Sequence, residues 1–161
     1  MRQVIISLAV VLFLAGPALA KAPDVGDKAP DFSVTSLDNN KISLADLKGK
    51  VVLMGMFHIC VPCMHQAMEF EKVRKALPAD KLAIIGINTF GDSREKVTDY
   101  LNQFPSPVHF PYCLDPKTTV DQAYVQRDMP TVVIIGADGV IRARTPAVGA
   151  DQLIPYLRKM L

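Results

Sequence analysis

The chain has 161 residues, half of them hydrophobic and 21% charged, with a formal net charge of +2. That length suits one domain with a core of its own, and so small a charge leaves no electrostatic footprint for nucleic acid. Three cysteines are too few for a fold stapled by disulfides.

Residues 1–20 read as a secretory signal peptide. Arg2 is followed by an apolar run from Val4 to Ala15, a Gly16-Pro17 break and a closing Ala18, Leu19, Ala20. The apolar core is shorter than the ~20 residues of an ordinary membrane span, although an uncleaved anchor is the alternative this segment leaves open. The expected location is the periplasm or another extracytoplasmic space. Residues 21–30, KAPDVGDKAP, form a lead-in, and the folded domain is expected over 31–161.

The elements of that domain alternate. Residues 32–35 and 41–43 flank a turn-forming Asp38, Asn39, Asn40 and predict a hairpin. Residues 51–57, VVLMGMF, are continuously apolar, the pattern of a strand buried on both faces of a parallel sheet. A helix is expected over 62–77, with an apolar stripe of Met64, Ala67, Met68, Val73, Ala76 and Leu77 ended by Pro78. Another buried strand follows at 82–88. A helix opens at Asp92 or Ser93, where Asp92 and Glu95 have capping-box spacing, and carries Val97, Tyr100, Leu101 and Phe104 on its apolar side. Then come a strand at 108–114, a short helix at 118–124, and strands at 131–135 and 140–144 around an Ala137, Asp138, Gly139 turn. The last helix runs from about 151 to 161, with Pro155 placed in or near its first turn. Strands alternating with helices define an α/β sheet covered on both faces.

The pair in FHICVPCMHQ, residues 57–66, stands where the first buried strand hands over to a helix. A helix amino terminus carries unpaired N–H groups and partial positive charge, so a thiolate at Cys60 is favoured there. Cys63 lies one turn on, within reach of a mixed disulfide at Cys60, and Pro62 suits a first turn whose N–H has no helical partner. Other uses of the motif fit less well. Zinc needs four ligands and one CxxC supplies two. Covalent haem attachment needs His where Met64 stands. Copper is the stronger rival, because thiolates with nearby His58, His65 and the thioethers of Met56, Met64 and Met68 are soft ligands suited to Cu(I).

PDFSVTSLDNNKISLADLKGKVVLMGMF (30–57), CVPC (60–63) and DMPTVVIIGADGVIRARTPAVG (128–149) resemble the TlpA/ResA-like thioredoxin-fold thiol-disulfide oxidoreductases across nearly the whole mature chain. The resemblance implies a thioredoxin-like α/β fold, with a central mixed sheet flanked by helices and an N-terminal β-hairpin extension. It implies Cys60 as exposed nucleophile, Cys63 as resolving thiol, and Pro130 as a cis-proline beside the pair, with Met129 and Pro130 forming the edge on which a peptide substrate lies. No cofactor or metal is implied. The expected partners are protein disulfides or dithiols, among them an apocytochrome of cytochrome c maturation or a copper-site assembly protein, and a membrane electron donor for a monomeric reductant.

The chain departs from that pattern near the cysteines. Ile59 stands where the family has Trp, Met54 where it has Asp or Asn, and Gln66 where ResA-type proteins have Glu. Gln66 can hydrogen-bond but cannot take up a proton, so His58 and Gln66 are the candidate modulators of the pair. The opening segment is also shared with peroxiredoxins, but their hydroxyl residue three before the reactive cysteine is replaced by Phe57. Cys113 would be the distant resolving thiol of such an enzyme. A buried, redox-silent cysteine is its expected role here.

Overall fold

The computed structural model describes residues 21–161; the signal peptide expected over 1–20 lies outside the described residues. Its centre is β3 (Val51–Phe57), in which every residue is buried. Alternate side chains serve two cores, as the period of a strand requires. Leu53 and Phe57 join the cluster containing Phe70, Val97, Leu153 and Leu157. Val52, Met54 and Met56 join Phe32, Val120 and Tyr124 on the other face. A strand with solvent on neither side must be apolar throughout, and this one is.

Around β3 the chain builds one seven-stranded mixed sheet in the order β2-β1-β5-β4-β3-β6-β7. Its remaining strands are β1 (Ser33–Ser36), β2 (Lys41–Ser43), β4 (Leu82–Asn88), β5 (Tyr112–Leu114), β6 (Thr131–Ile135) and β7 (Ile141–Thr145). The helices are α1 (Val61–Ala76), α2 (Arg94–Leu101), α3 (Thr119–Tyr124) and α4 (Ala150–Arg158). On one side of β3, β4 runs parallel with Phe57 opposite Asn88. On the other, β6 runs antiparallel with Met56 opposite Thr131. The N-terminal hairpin extends the sheet through antiparallel pairing of β1 with β5.

Two glycines decide how β3 ends. Gly55 and Gly86 are register partners, and a Cβ would stand 2.2 Å from the Phe57 ring at Gly55 and 2.9 Å at Gly86. Their bare backbones make the slot in which that ring lies, with Phe70 of α1 at 5.7 Å and Tyr112 of β5 at 5.8 Å between ring centroids. The residue three before Cys60 is thereby anchored in the core.

Several elements differ from the sequence reading for local reasons. Ser43 caps a 3-10 turn, Leu44–Leu47, through a capping box with Asp46. The side chain that caps α2 is Ser93, accepting from the Lys96 N–H, while Asp92 accepts from Asn88 Nδ2 at 2.9 Å. The strand expected from 108 begins only at Tyr112, since the His109 N–H donates to Glu71 rather than to a neighbouring strand. Pro155 falls in the second turn of α4, not the first; it is exposed, so solvent can serve the carbonyl it leaves without a donor.

The stripe of α1 is also rotated from its expected position. Cys63, Gln66, Ala67, Phe70, Glu71 and Val73 are buried, Met64 and Met68 are half-buried and Ala76 is exposed. Two polar side chains can lie on the inner face because both are satisfied. Glu71 accepts from Arg74 Nη2 at 2.8 Å and from the His109 N–H at 3.0 Å. Burial alone would raise its carboxyl, but these donors outweigh it and hold it at about 2.

Candidate active site

Cys60 is the extended residue that caps α1, and Pro62 lies in the first turn. The Cys60 sulfur accepts from the Cys63 N–H at 3.3 Å, so one orphan donor of the helix end points at it. The two sulfurs are 2.8 Å apart and both cysteines are free. They differ in access: Cys60 is half-buried and Cys63 is sealed from solvent. Burial pushes the Cys63 thiol up to about 12, helped by its hydrogen bond with Cys60 and opposed by the N–H of His58, which donates to its sulfur at 3.3 Å.

The backbone of His58 thus touches the pair while its ring does something else. The imidazole meets Phe90 edge-on, with centroids 4.0 Å apart. His65 is an exposed residue of α1. Among the described residues no group of three or more His, Cys, Asp or Glu is placed to hold a metal ion. Gln66 is fully engaged elsewhere, donating from Nε2 to the Val148 carbonyl at 2.9 Å and accepting the Val148 N–H at 2.7 Å. It ties α1 to the segment before α4 and makes no hydrogen bond to either sulfur.

On the far side of the pair, the Met129-Pro130 peptide bond is cis. Pro130 immediately precedes β6, whose first residue, Thr131, is the register partner of Met56 near the end of β3. Pro130 is buried and Met129 stands 41% exposed. Cys113 is not near this chemistry by any hydrogen bond. It lies buried in β5 with the Met56 and Ile87 core, and burial pushes its thiol up to about 12.

Three residues around the site make contacts that the sequence did not signal. Gln126, in the loop after α3, accepts from Thr89 Oγ1 at 2.5 Å and donates to the carbonyls of Met56 and Asp128, each at 3.1 Å. Thr89 in turn gives its N–H to the Phe57 carbonyl at 3.1 Å. Tyr100 was legible as part of the α2 stripe, but not that its hydroxyl donates to the Cys60 carbonyl at 2.7 Å. Burial holds that phenol well above the usual tyrosine range, so it remains a donor.

A dithiol at the amino end of a helix, one sulfur open and one closed, with a cis-proline on the neighbouring strand, defines a thioredoxin-like thiol-disulfide oxidoreductase. By sequence the chain belongs to the AhpC/TSA family, whose model matches residues 25–144. It is 36% identical to the thioredoxin-like protein YneN of Bacillus subtilis over 120 residues, 73% of this chain and 68% of that protein. It is 28% identical to the thiol-disulfide oxidoreductase ResA of Bacillus cereus, over 84% of this chain and 78% of the relative. A putative protein disulfide isomerase from Bacteroides thetaiotaomicron superposes with a TM-score of 0.74 at 25% identity, covering 86% of this chain and 91% of that structure.

Proposed function

We propose that this protein is exported by its first twenty residues and reduces disulfides of protein substrates outside the cytoplasm, working as a monomer without a cofactor. The observation that carries the reading is the pair itself, an accessible Cys60 sulfur with the buried Cys63 sulfur 2.8 Å away. The Cys60 thiolate attacks one sulfur of the substrate disulfide. The substrate S–S bond breaks, its second sulfur leaves with the electron pair, and a mixed disulfide joins Cys60 to the substrate. Cys63 then loses its proton and attacks the Cys60 sulfur. This closes the Cys60-Cys63 disulfide and releases the second substrate thiol, so the substrate gains the two electrons the pair gives up.

Two features shape the second step. The Cys63 thiol is held at about 12, and its hydrogen-bond partners are the His58 N–H and the Cys60 sulfur, with no carboxylate among them. The substrate thiolate released in the first step is the base that the reaction itself supplies. Met129 and cis-Pro130 offer a backbone edge for the substrate chain. Oxidised protein is returned to the dithiol by an electron donor, for which a membrane thiol system is the proposed source. An apocytochrome or a copper-site assembly protein is the class of client proposed.

The direction rests on what the Cys60 sulfur lacks. A strong oxidant owes its potential to unusual stabilisation of its reduced form. Here Val61 and Pro62 bring no polar side chain, and the His58 ring packs on Phe90, leaving the N–H and the neutral thiol of Cys63 as the groups that hydrogen-bond that sulfur. Equilibration of the purified protein against a glutathione series tests this. A potential on the thioredoxin side, toward about −270 mV, is expected; one near the DsbA value of about −120 mV overturns the reductant reading.

A further inference from the structure

Among the described residues only five large apolar side chains stand exposed, and three of them, Val61, Phe90 and Met129, sit around Cys60. Their placement follows from the sheet order β4-β3-β6. Cys60 follows β3, Phe90 follows β4, and Met129 precedes β6, so Phe90 and Met129 flank the Cys60 loop from opposite sides. Phe90 is 63% exposed, the most open of the five, and its single aromatic contact is the edge-on His58 ring. An aromatic side chain left in water beside a reactive sulfur gains from being covered.

The two flanking loops are tied to each other. The Gln126 amide accepts from Thr89, the residue before Phe90, and donates to the carbonyl of Asp128, the residue before Met129. It also donates to the Met56 carbonyl, and its nitrogen lies 3.5 Å from the Met129 sulfur. One side chain passing beneath the end of β3 therefore holds both apolar walls at a fixed separation.

From this we infer that Phe90 and Met129 are specificity-determining walls of the substrate cleft, that Gln126 is the positioning residue which sets their spacing, and that the favoured substrate is an extended protein segment whose cysteine is flanked by bulky apolar residues. The inference rests on the thiol-disulfide reading of Cys60 and names its substrate class. The Phe90 and Met129 side chains are themselves apolar and exposed, and the charged residues next to Met129, Arg127 and Asp128, are of opposite sign, so apolar neighbours of the substrate cysteine gain by covering the two walls.

The test uses two synthetic peptides, each carrying one cysteine in mixed disulfide with glutathione, with leucines beside it in one and serines in the other. Reduction of each by the dithiol protein is followed with dithiothreitol as the recycling reductant. The leucine peptide should be favoured in kcat/KM by ~10-fold, equivalent to about 1.4 kcal/mol. Phe90→Ser removes a side chain already in solvent, so it should fold, and should bring the ratio below ~3-fold. Gln126→Ala should raise KM for the leucine peptide with little change in kcat, while a merely structural loss would lower kcat for both peptides alike. Equal turnover of the two peptides by the unaltered protein, or a Phe90→Ser variant that keeps the full preference, overturns the inference and leaves the disulfide chemistry standing. Failure of the unaltered protein to reduce either peptide or oxidised glutathione overturns the thiol-disulfide reading and the inference with it.

Discussion

Cys63 and Cys113 are both fully shielded from solvent, and burial holds both thiols up at about 12. What separates them is company. Cys63 lies in the first turn of a helix, receives a backbone N–H and has a second, accessible sulfur 2.8 Å away. Cys113 is paired only through its backbone, opposite Ser36 of β1 and Ile87 of β4, and its side chain sits among Met56, Ile87 and Val120. Burial by itself keeps a thiol neutral and inert. A buried thiol becomes useful when a neighbour can carry the other half of the reaction, which is the arrangement at the end of β3 and is missing at β5.

The largest effect that follows is a qualitative one. In Cys63→Ser the mixed disulfide formed at Cys60 has no resolving sulfur, so covalent adducts with client proteins should accumulate on non-reducing gels and catalytic turnover should cease. Cys60→Ser, which keeps only the closed sulfur, should trap none. Equal trapping by the two variants would reverse the division of labour and dissolve the contrast between an open and a closed thiol.

Much of that contrast was legible in the chain. The continuous apolar run of β3, the CVPC that follows it and Pro62 in the first turn together locate a dithiol at a strand-to-helix junction, and the two buried cores follow from the alternation of strands and helices. The polar cross-links were not legible. Gln126, Thr89 and Val148 are brought to the site from loops far apart in sequence, and no periodicity marks a loop glutamine whose partners are backbone carbonyls on other elements. Gln66 illustrates the limit. Its position after the second cysteine pointed to a modulator of the pair, and only the tertiary structure puts its amide on the backbone of Val148. The same limit applies to α1, where Glu71 reads as a surface residue until Arg74 and His109 are seen to satisfy it.

A second expectation treats the two thiols as equals. A free thiol in an unfolded chain titrates near ~8.5, and both of these sit near 12 when folded. Raised folded values mean that the stabilisation is complete below the unfolded value and is lost as pH climbs toward the folded one, because only the unfolded chain gives up its protons in that window. The reduced protein should therefore lose stability between about pH 8.5 and 10, by up to ~1.4 kcal/mol per pH unit for each thiol. Tyrosines add their own effect only above ~10. Urea unfolding of the reduced protein across this range checks the sign. A stability that stayed flat or rose would mean that neither thiol is held neutral by the fold.

The smallest expected effect isolates Cys113. Cys113→Ala removes one sulfur from a packed core and leaves every hydrogen bond of the Cys60 site in place, so it should cost about 1 kcal/mol of stability and take one thiol's share from the alkaline slope. Disulfide exchange should continue at close to its original rate, since the thiol has no partner sulfur and nothing electropositive beside it to favour its ionised form. Steady-state turnover with a glutathionylated peptide, together with an unfolding midpoint, reads both quantities from one preparation. If turnover vanished while the midpoint moved only slightly, Cys113 would have to exchange with the pair during the cycle. The chain would then work as a three-cysteine relay, or as a peroxidase in which Cys113 resolves an oxidised Cys60. Addition of hydrogen peroxide as sole oxidant separates those two, because only the second consumes it in proportion to thiol lost.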